Sequence, residues 1–178
     1  MGMEMKNEMK EQIHELVVQI KAALLERGES MATAESCTGG LIASEIVGEP
    51  GSSDILAGGI VAYRNEIKEA LLGVPHAILE QKGAVSAETV EAMAKGAREK
   101  FGCEWAVSTS GIAGPTGAEP GKPVGFVWMA VANSREIVSF SEIFDGNRNE
   151  IREKSVYKVL GKLNFLINNQ KSTCTNEH

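Results

Sequence analysis

Much of what usually announces a chemistry is missing from this sequence. No stretch approaches the roughly 18 consecutive apolar residues of a membrane-crossing helix, so no membrane association is expected. The opening residues 1–10 alternate charge with methionine and hold no apolar segment, so no signal peptide is expected either. Met1-Gly2 looks like a myristoylation start, but Lys6 stands where a Ser or Thr is required. Basic residues form no block, and the formal net charge is -6. Nucleic-acid binding shows as a basic patch or stripe, so nucleic acid is not the expected ligand. The three cysteines, Cys37, Cys103 and Cys174, are odd in number and widely spaced, with no CxxC. This excludes a disulfide framework and a zinc site, and it makes the cytoplasm the expected compartment. No His/Cys/Asp/Glu cluster stands ready for a metal, and no metal or cofactor is expected.

Familiar catalytic signatures are missing too. No Gly-Lys-Ser or Gly-Lys-Thr follows a glycine loop, so there is no P-loop. Ser36 is flanked by Ala34 and Thr38 rather than by glycines, and Gly39 stands where an S-x-x-K motif needs lysine. The histidines are His14 in an early helical stretch, His76 after a proline, and His178 at the end of the chain. None is well placed as a base.

What is present is ordinary bulk and one unusual corner. The 178 residues, 43% hydrophobic and 24% charged, suit one globular domain with a real core, spanning about residues 10–168. Residues 32–40 (ATAESCTGG) pass from a short apolar stretch to residues 41–47, whose apolar positions repeat as a helix does. A strand therefore hands over to a helix at Ser36, Thr38, Gly39 and Gly40. Amides at a helix start are unpaired and carry partial positive charge, which suits an anion or a developing oxyanion.

The rest of the chain alternates strand and helix patterns. Residues 9–27 read as an amphipathic helix, and its apolar stripe leaves a homodimer open. Residues 55–63 (ILAGGIVAY) form a continuous apolar run, which predicts a strand covered on both faces. Residues 65–72 predict a helix capped by Asn65, and residues 86–101 a long helix capped by Ser86. Residues 105–110 predict a strand, residues 111–123 a loop, and residues 124–132 and 136–144 a hairpin. A last helix is expected over residues 149–167, with a fraying polar tail. The expected class is α/β, a three-layer αβα sandwich with a mixed β-sheet. Ligands of such sheets sit in loops at the carboxyl ends of strands.

Three such loops carry chemistry. Ser36 is the candidate nucleophile. Lys68, in the first turn of its helix, is the candidate base, because a helix start and burial both disfavour an ammonium. Tyr63, at the end of the preceding strand, is placed to relay a proton or hold the lysine. Gly111, Gly114 and Thr116 lie in a loop able to cradle a phosphate or carboxylate. Lys122, Arg148 and Arg152 are nearby candidates for anion contacts.

Several segments in order, residues 32–40, 50–53 (PGSS), 63–68 (YRNEIK), 83–86 (GAVS), 111–117 (GIAGPTG) and 122–125 (KPVG), resemble the C-terminal domain of CinA proteins. Stand-alone versions of that domain are nicotinamide-nucleotide amidases. The resemblance implies hydrolysis of the carboxamide of nicotinamide mononucleotide to nicotinate mononucleotide and ammonia, without metal. It implies a serine nucleophile, a lysine base and an assisting tyrosine, which map onto Ser36, Lys68 and Tyr63. Departures are Ser110 for threonine, Arg64 for serine, Ala118 for glycine and Asn147 for aspartate. The larger N-terminal domain of full-length CinA proteins is not represented. The alternatives are an amidase for another small amide, or a non-catalytic nucleotide- or partner-binding module.

Overall fold

The structure, a computed structural model, describes residues 2–170. Cys174, His178 and most of the predicted polar tail lie outside the described residues. Five strands form one mixed sheet: β1 (Met31–Glu35), β2 (Leu56–Val61), β3 (Trp105–Gly111), β4 (Phe126–Ala132) and β5 (Ile137–Ile143). Their order is β2-β1-β3-β4-β5, with β1 parallel to β2 and β3, and β4 antiparallel to β3 and β5. The helices are α1 (Gly2–Arg27), α2 (Leu41–Val47), α3 (Asn65–Leu72), α4 (His76–Lys82), α5 (Ala87–Phe101) and α6 (Arg148–Asn169). The predicted αβα sandwich with a mixed sheet is what forms.

Alternation along the strands divides the core between two layers. Met31, Trp105, Val107, Met129 and Val131 face α1, α2 and α6, and pack with Ile20, Leu24, Ile42, Val159 and Leu160. Ala32, Ala34 and Ala106 face the other way, against Leu72 of α3 and Met93 and Ala97 of α5. Small side chains on this second face let α5 lie close to the sheet. Close approach is carried further at Gly96: a Cβ there would collide with the carbonyl oxygen of Leu72. The end of α3 is thereby seated directly on α5.

Two expectations need correction. Residues 55–63 do not form a strand covered on both faces. β2 is an edge strand, and its residues alternate between half-buried and exposed. Ala57, Gly59 and Val61 fill the exposed positions without a polar side chain, so the alternation is invisible as hydropathy. Gly59 is also required there, since a Cβ would strike the Thr33 hydroxyl on β1. Asn65 is not a cap: the N-cap of α3 is Arg64, with no side-chain cap bond. The helix instead starts after an extended Arg64. Helix α4 forms between Pro75 and Gly83, where the sequence pattern predicts no element, and α1 begins well ahead of the predicted residue 9.

Candidate active site

The corner after β1 is fixed by a residue not singled out in the sequence. Glu35 is fully buried, and its carboxylate accepts from Thr38 Oγ1 at 2.7 Å and from the amides of Gly40, Ile42 and Ala43, each at 3.0 Å. These are the amides that a helix start leaves unpaired, and a buried carboxylate is a strong acceptor for them. Gly39 and Gly40 both take positive φ, 61° and 95°, which lets the chain turn tightly enough to reach back. Thr109 of β3 holds the corner from the other side. Its carbonyl accepts from the Ser36 amide at 3.0 Å, and its hydroxyl pairs with that of Thr38 at 2.7 Å. From α6, Arg152 Nη2 donates to the Thr38 carbonyl at 2.7 Å.

This corrects one expectation. The amides of Gly39 and Gly40 do not face a ligand: Gly39 donates to the Ser36 carbonyl at 3.1 Å, and Gly40 donates to Glu35. The amides of Cys37 and Thr38 are the ones that reach no oxygen among the described residues; they lean on the Cys37 sulfur. An acid at a strand end just before a glycine-rich helix start was the signal that could have identified Glu35.

Lys68 comes to Ser36 from α3. Its side chain runs back toward the helix N-terminus, as helical side chains do, and is almost wholly buried at 1% exposure. Nζ lies 2.8 Å from the Ala62 carbonyl, 3.2 Å from the Tyr63 carbonyl and 3.2 Å from Ser36 Oγ. A neutral amine has two N–H bonds and one lone pair. Once the amine is neutral, the two carbonyls take the two N–H bonds and the lone pair is left toward the serine hydroxyl. Burial pushes the Lys68 ammonium below its ordinary pKa; a charged Cys37 would oppose this. That opposition is absent at neutral pH, because burial pushes the Cys37 thiol up to about 11. The constellation therefore sets a buried amine, eased toward its uncharged form, against a hydroxyl, and that form is what proton abstraction from serine needs.

Tyr63 acts here through two different atoms. Its carbonyl holds Lys68, while its half-exposed ring sends the hydroxyl to Arg148 Nη2 at 3.0 Å. Arg148 Nη1 donates to the Gly114 carbonyl at 2.8 Å. Arg148 opens α6 because Asn147 caps that helix in a capping box with Glu150. Around these groups lies a cavity of about 270 Å³, lined by Cys37, Tyr63, Gly111, Gly114, Thr116 and Arg148 among others. Ser36 and Lys68 sit just behind that lining, next to Cys37 and Tyr63. Lys122 is not brought to the cavity; it donates to the Lys82 carbonyl and ties the glycine loop to α4. A larger groove of about 540 Å³ between α1, β5 and α6 is lined by Ser141, Tyr157 and the paired Glu142 and Lys158, 3.4 Å apart.

Among the described residues, no group of three His, Cys, Asp or Glu side chains is placed to hold a metal ion. No helix among them is long and apolar enough to cross a membrane.

Comparison with known proteins agrees with this architecture. The CinA C-terminal domain family matches residues 13–167. A CinA-like protein of Prochlorococcus marinus (strain NATL2A) is 45% identical over 159 residues, which are 88% of this chain and 36% of that protein. A CinA-like protein of Anaeromyxobacter sp. (strain Fw109-5) is 43% identical over 90% of this chain and 38% of its own length. The chain thus spans little more than a third of these relatives. The competence/damage inducible protein CihA of Agrobacterium tumefaciens superposes with a TM-score of 0.85 at 38% identity, covering 88% of this chain and 96% of that one. The competence damage-inducible protein A of Klebsiella pneumoniae gives 0.86 at 31% identity, covering 89% and 99%.

Proposed function

The chain belongs to the CinA C-terminal domain family, and we propose that it is an amidase that converts nicotinamide mononucleotide to nicotinate mononucleotide and ammonia. The observation that carries this reading is the buried Lys68 Nζ 3.2 Å from Ser36 Oγ, donating also to the carbonyls of Ala62 and Tyr63. Ser36 Oγ attacks the carboxamide carbon as Lys68 takes the hydroxyl proton. The carbonyl oxygen becomes negative and is held by the amides of Cys37 and Thr38. The tetrahedral intermediate collapses, the C–N bond breaks, and the Lys68 ammonium gives its proton to the departing ammonia. Water, deprotonated by the same amine, then attacks the acyl carbon; the C–O bond to Ser36 breaks, the Lys68 ammonium returns its proton to Ser36 Oγ, and the acid product leaves and ionises to the carboxylate. The phosphate of the mononucleotide lies at Arg148 and the glycine loop, which line the same cavity as Cys37.

Each group is asked for an ordinary contribution. Proton transfer by a placed base supplies about 10²–10⁴-fold in rate. An oxyanion donor supplies about 10²–10³-fold. Ammonia release from the mononucleotide is measured for wild type, Ser36→Ala and Lys68→Ala. Loss of turnover in both variants is expected. Near wild-type turnover in Ser36→Ala would remove the nucleophile and with it the mechanism.

A further inference from the structure

A continuous path of contacts joins the arginine at the cavity rim to the reacting serine. Arg148 Nη2 donates to the Tyr63 hydroxyl at 3.0 Å. The Tyr63 carbonyl accepts from Lys68 Nζ at 3.2 Å, and Nζ meets Ser36 Oγ at 3.2 Å. We propose that Tyr63 is a positioning residue that couples a phosphate group held at Arg148 to the Lys68–Ser36 pair, so that the anion raises turnover and not only affinity. This rests on the amidase reading above.

Three features support the coupling. The first is donor supply. A guanidinium has five N–H donors in a fixed plane, and Arg148 spends one on Gly114 and one on Tyr63. Donors remain for an anion without breaking either contact, and Arg148 lines the cavity. The second is looseness. Tyr63 is 57% exposed, and the hydrogen bond from Arg148 to its hydroxyl restrains the ring. The third is slack in the machinery. The contacts of Nζ to Tyr63 and to Ser36 are both at the long end of hydrogen bonding, whereas that to Ala62 is 2.8 Å. An anion that immobilises Arg148 fixes Tyr63, and Tyr63 fixes the amine against the hydroxyl. Binding energy from a non-reacting part of the substrate is then used in the transition state.

The test separates the phosphate from the rest of the substrate. Nicotinamide riboside, which lacks the phosphate, is hydrolysed with and without added inorganic phosphate. Wild type should show riboside kcat raised about tenfold or more, the scale of one charge-assisted hydrogen bond. The same phosphate should inhibit hydrolysis of the mononucleotide, whose own phosphate needs the place. Tyr63→Phe keeps the carbonyl and loses the hydroxyl. It should abolish the stimulation, and lower kcat on the mononucleotide toward the riboside value with little change in KM. Arg148→Lys, which cannot span Gly114 and Tyr63 with one ammonium, should also abolish it, and serves if Tyr63→Phe folds poorly. Mononucleotide turnover without any phosphate stimulation of the riboside overturns this coupling alone. Stimulation that persists in both variants does the same. Absence of mononucleotide turnover in wild type overturns the amidase reading and this inference together.

Discussion

Replacing Lys68 by methionine separates what the buried amine does for chemistry from what it costs the fold. Lys68→Met keeps the length of the side chain and removes the base. Turnover should fall by about 10²–10⁴-fold, the usual worth of a positioned proton acceptor. In wild type the rate should rise with pH as the ammonium, held below 10.5 by burial, loses its proton. The same shift acts on stability with a definite sign. Between the lowered folded value and the ordinary 10.5, the unfolded chain carries a proton that the folded chain does not. Stability therefore rises with pH across that window and is flat in this term outside it, by at most about 1.4 kcal/mol per pH unit. For a chain of this size that is about 2–4 °C in Tm for each kcal/mol. The level of stability is a poor readout, because Lys68→Met also leaves the carbonyls of Ala62 and Tyr63 without their amine donor. Each such orphan costs about 1–3 kcal/mol when buried. The slope is the clean quantity. Thermal melts of both proteins across alkaline pH should diverge in slope, with the variant flatter. Superimposable slopes, or a variant within about tenfold of wild-type turnover, would refute the assignment of Lys68 as a neutral base.

Glu35→Gln should destabilise the protein by about 1–3 kcal/mol or more in denaturant unfolding, because an amide nitrogen then faces an N–H where a carboxylate oxygen stood. Gly96→Ala should lower Tm and turnover together; about 1 kcal/mol gained in helix propensity is outweighed by collision with the Leu72 carbonyl, which displaces the helix that carries Lys68. Cys37 should resist thiol alkylation at neutral pH, with activity retained, since its thiol is buried and pushed up to about 11. Rapid inactivation by a small alkylating reagent would show an ionised thiol beside Ser36 and reopen the identity of the nucleophile.

The sequence reveals which candidate residues meet at this site better than it reveals what supports them. Ser36 and Lys68 are legible because each sits at a junction where strand and helix patterns meet, and the fold brings those junctions to one end of the parallel strands. The hairpin β4–β5 is legible from its two apolar runs and short turn, in which the Asn133 side chain accepts from the amides of Arg135 and Glu136. Glu35 is not legible as a buried anchor, because an acid in an apolar strand reads as a solvent-facing residue until its four donors are in view. The edge position of β2 is hidden by alanine and glycine, which lower the cost of exposure without a polar signal. Arg148 is found by composition, but its contact with Tyr63 links residues 85 positions apart, and nothing local records that. Helix α4 is hidden by its shortness and its proline cap.

Thr109 gives the reactive corner no independence from the sheet. One residue in the middle strand clamps the serine through its carbonyl and the threonine two positions later through its hydroxyl. β3 lies between β1 and β4, with both of its neighbours paired. Loosening the serine therefore means opening the central ladder, among the last parts of a fold to open. The serine inherits its steadiness from the cooperativity of the entire domain, whereas the glycine loop and the arginine strap at the cavity rim lie outside that ladder.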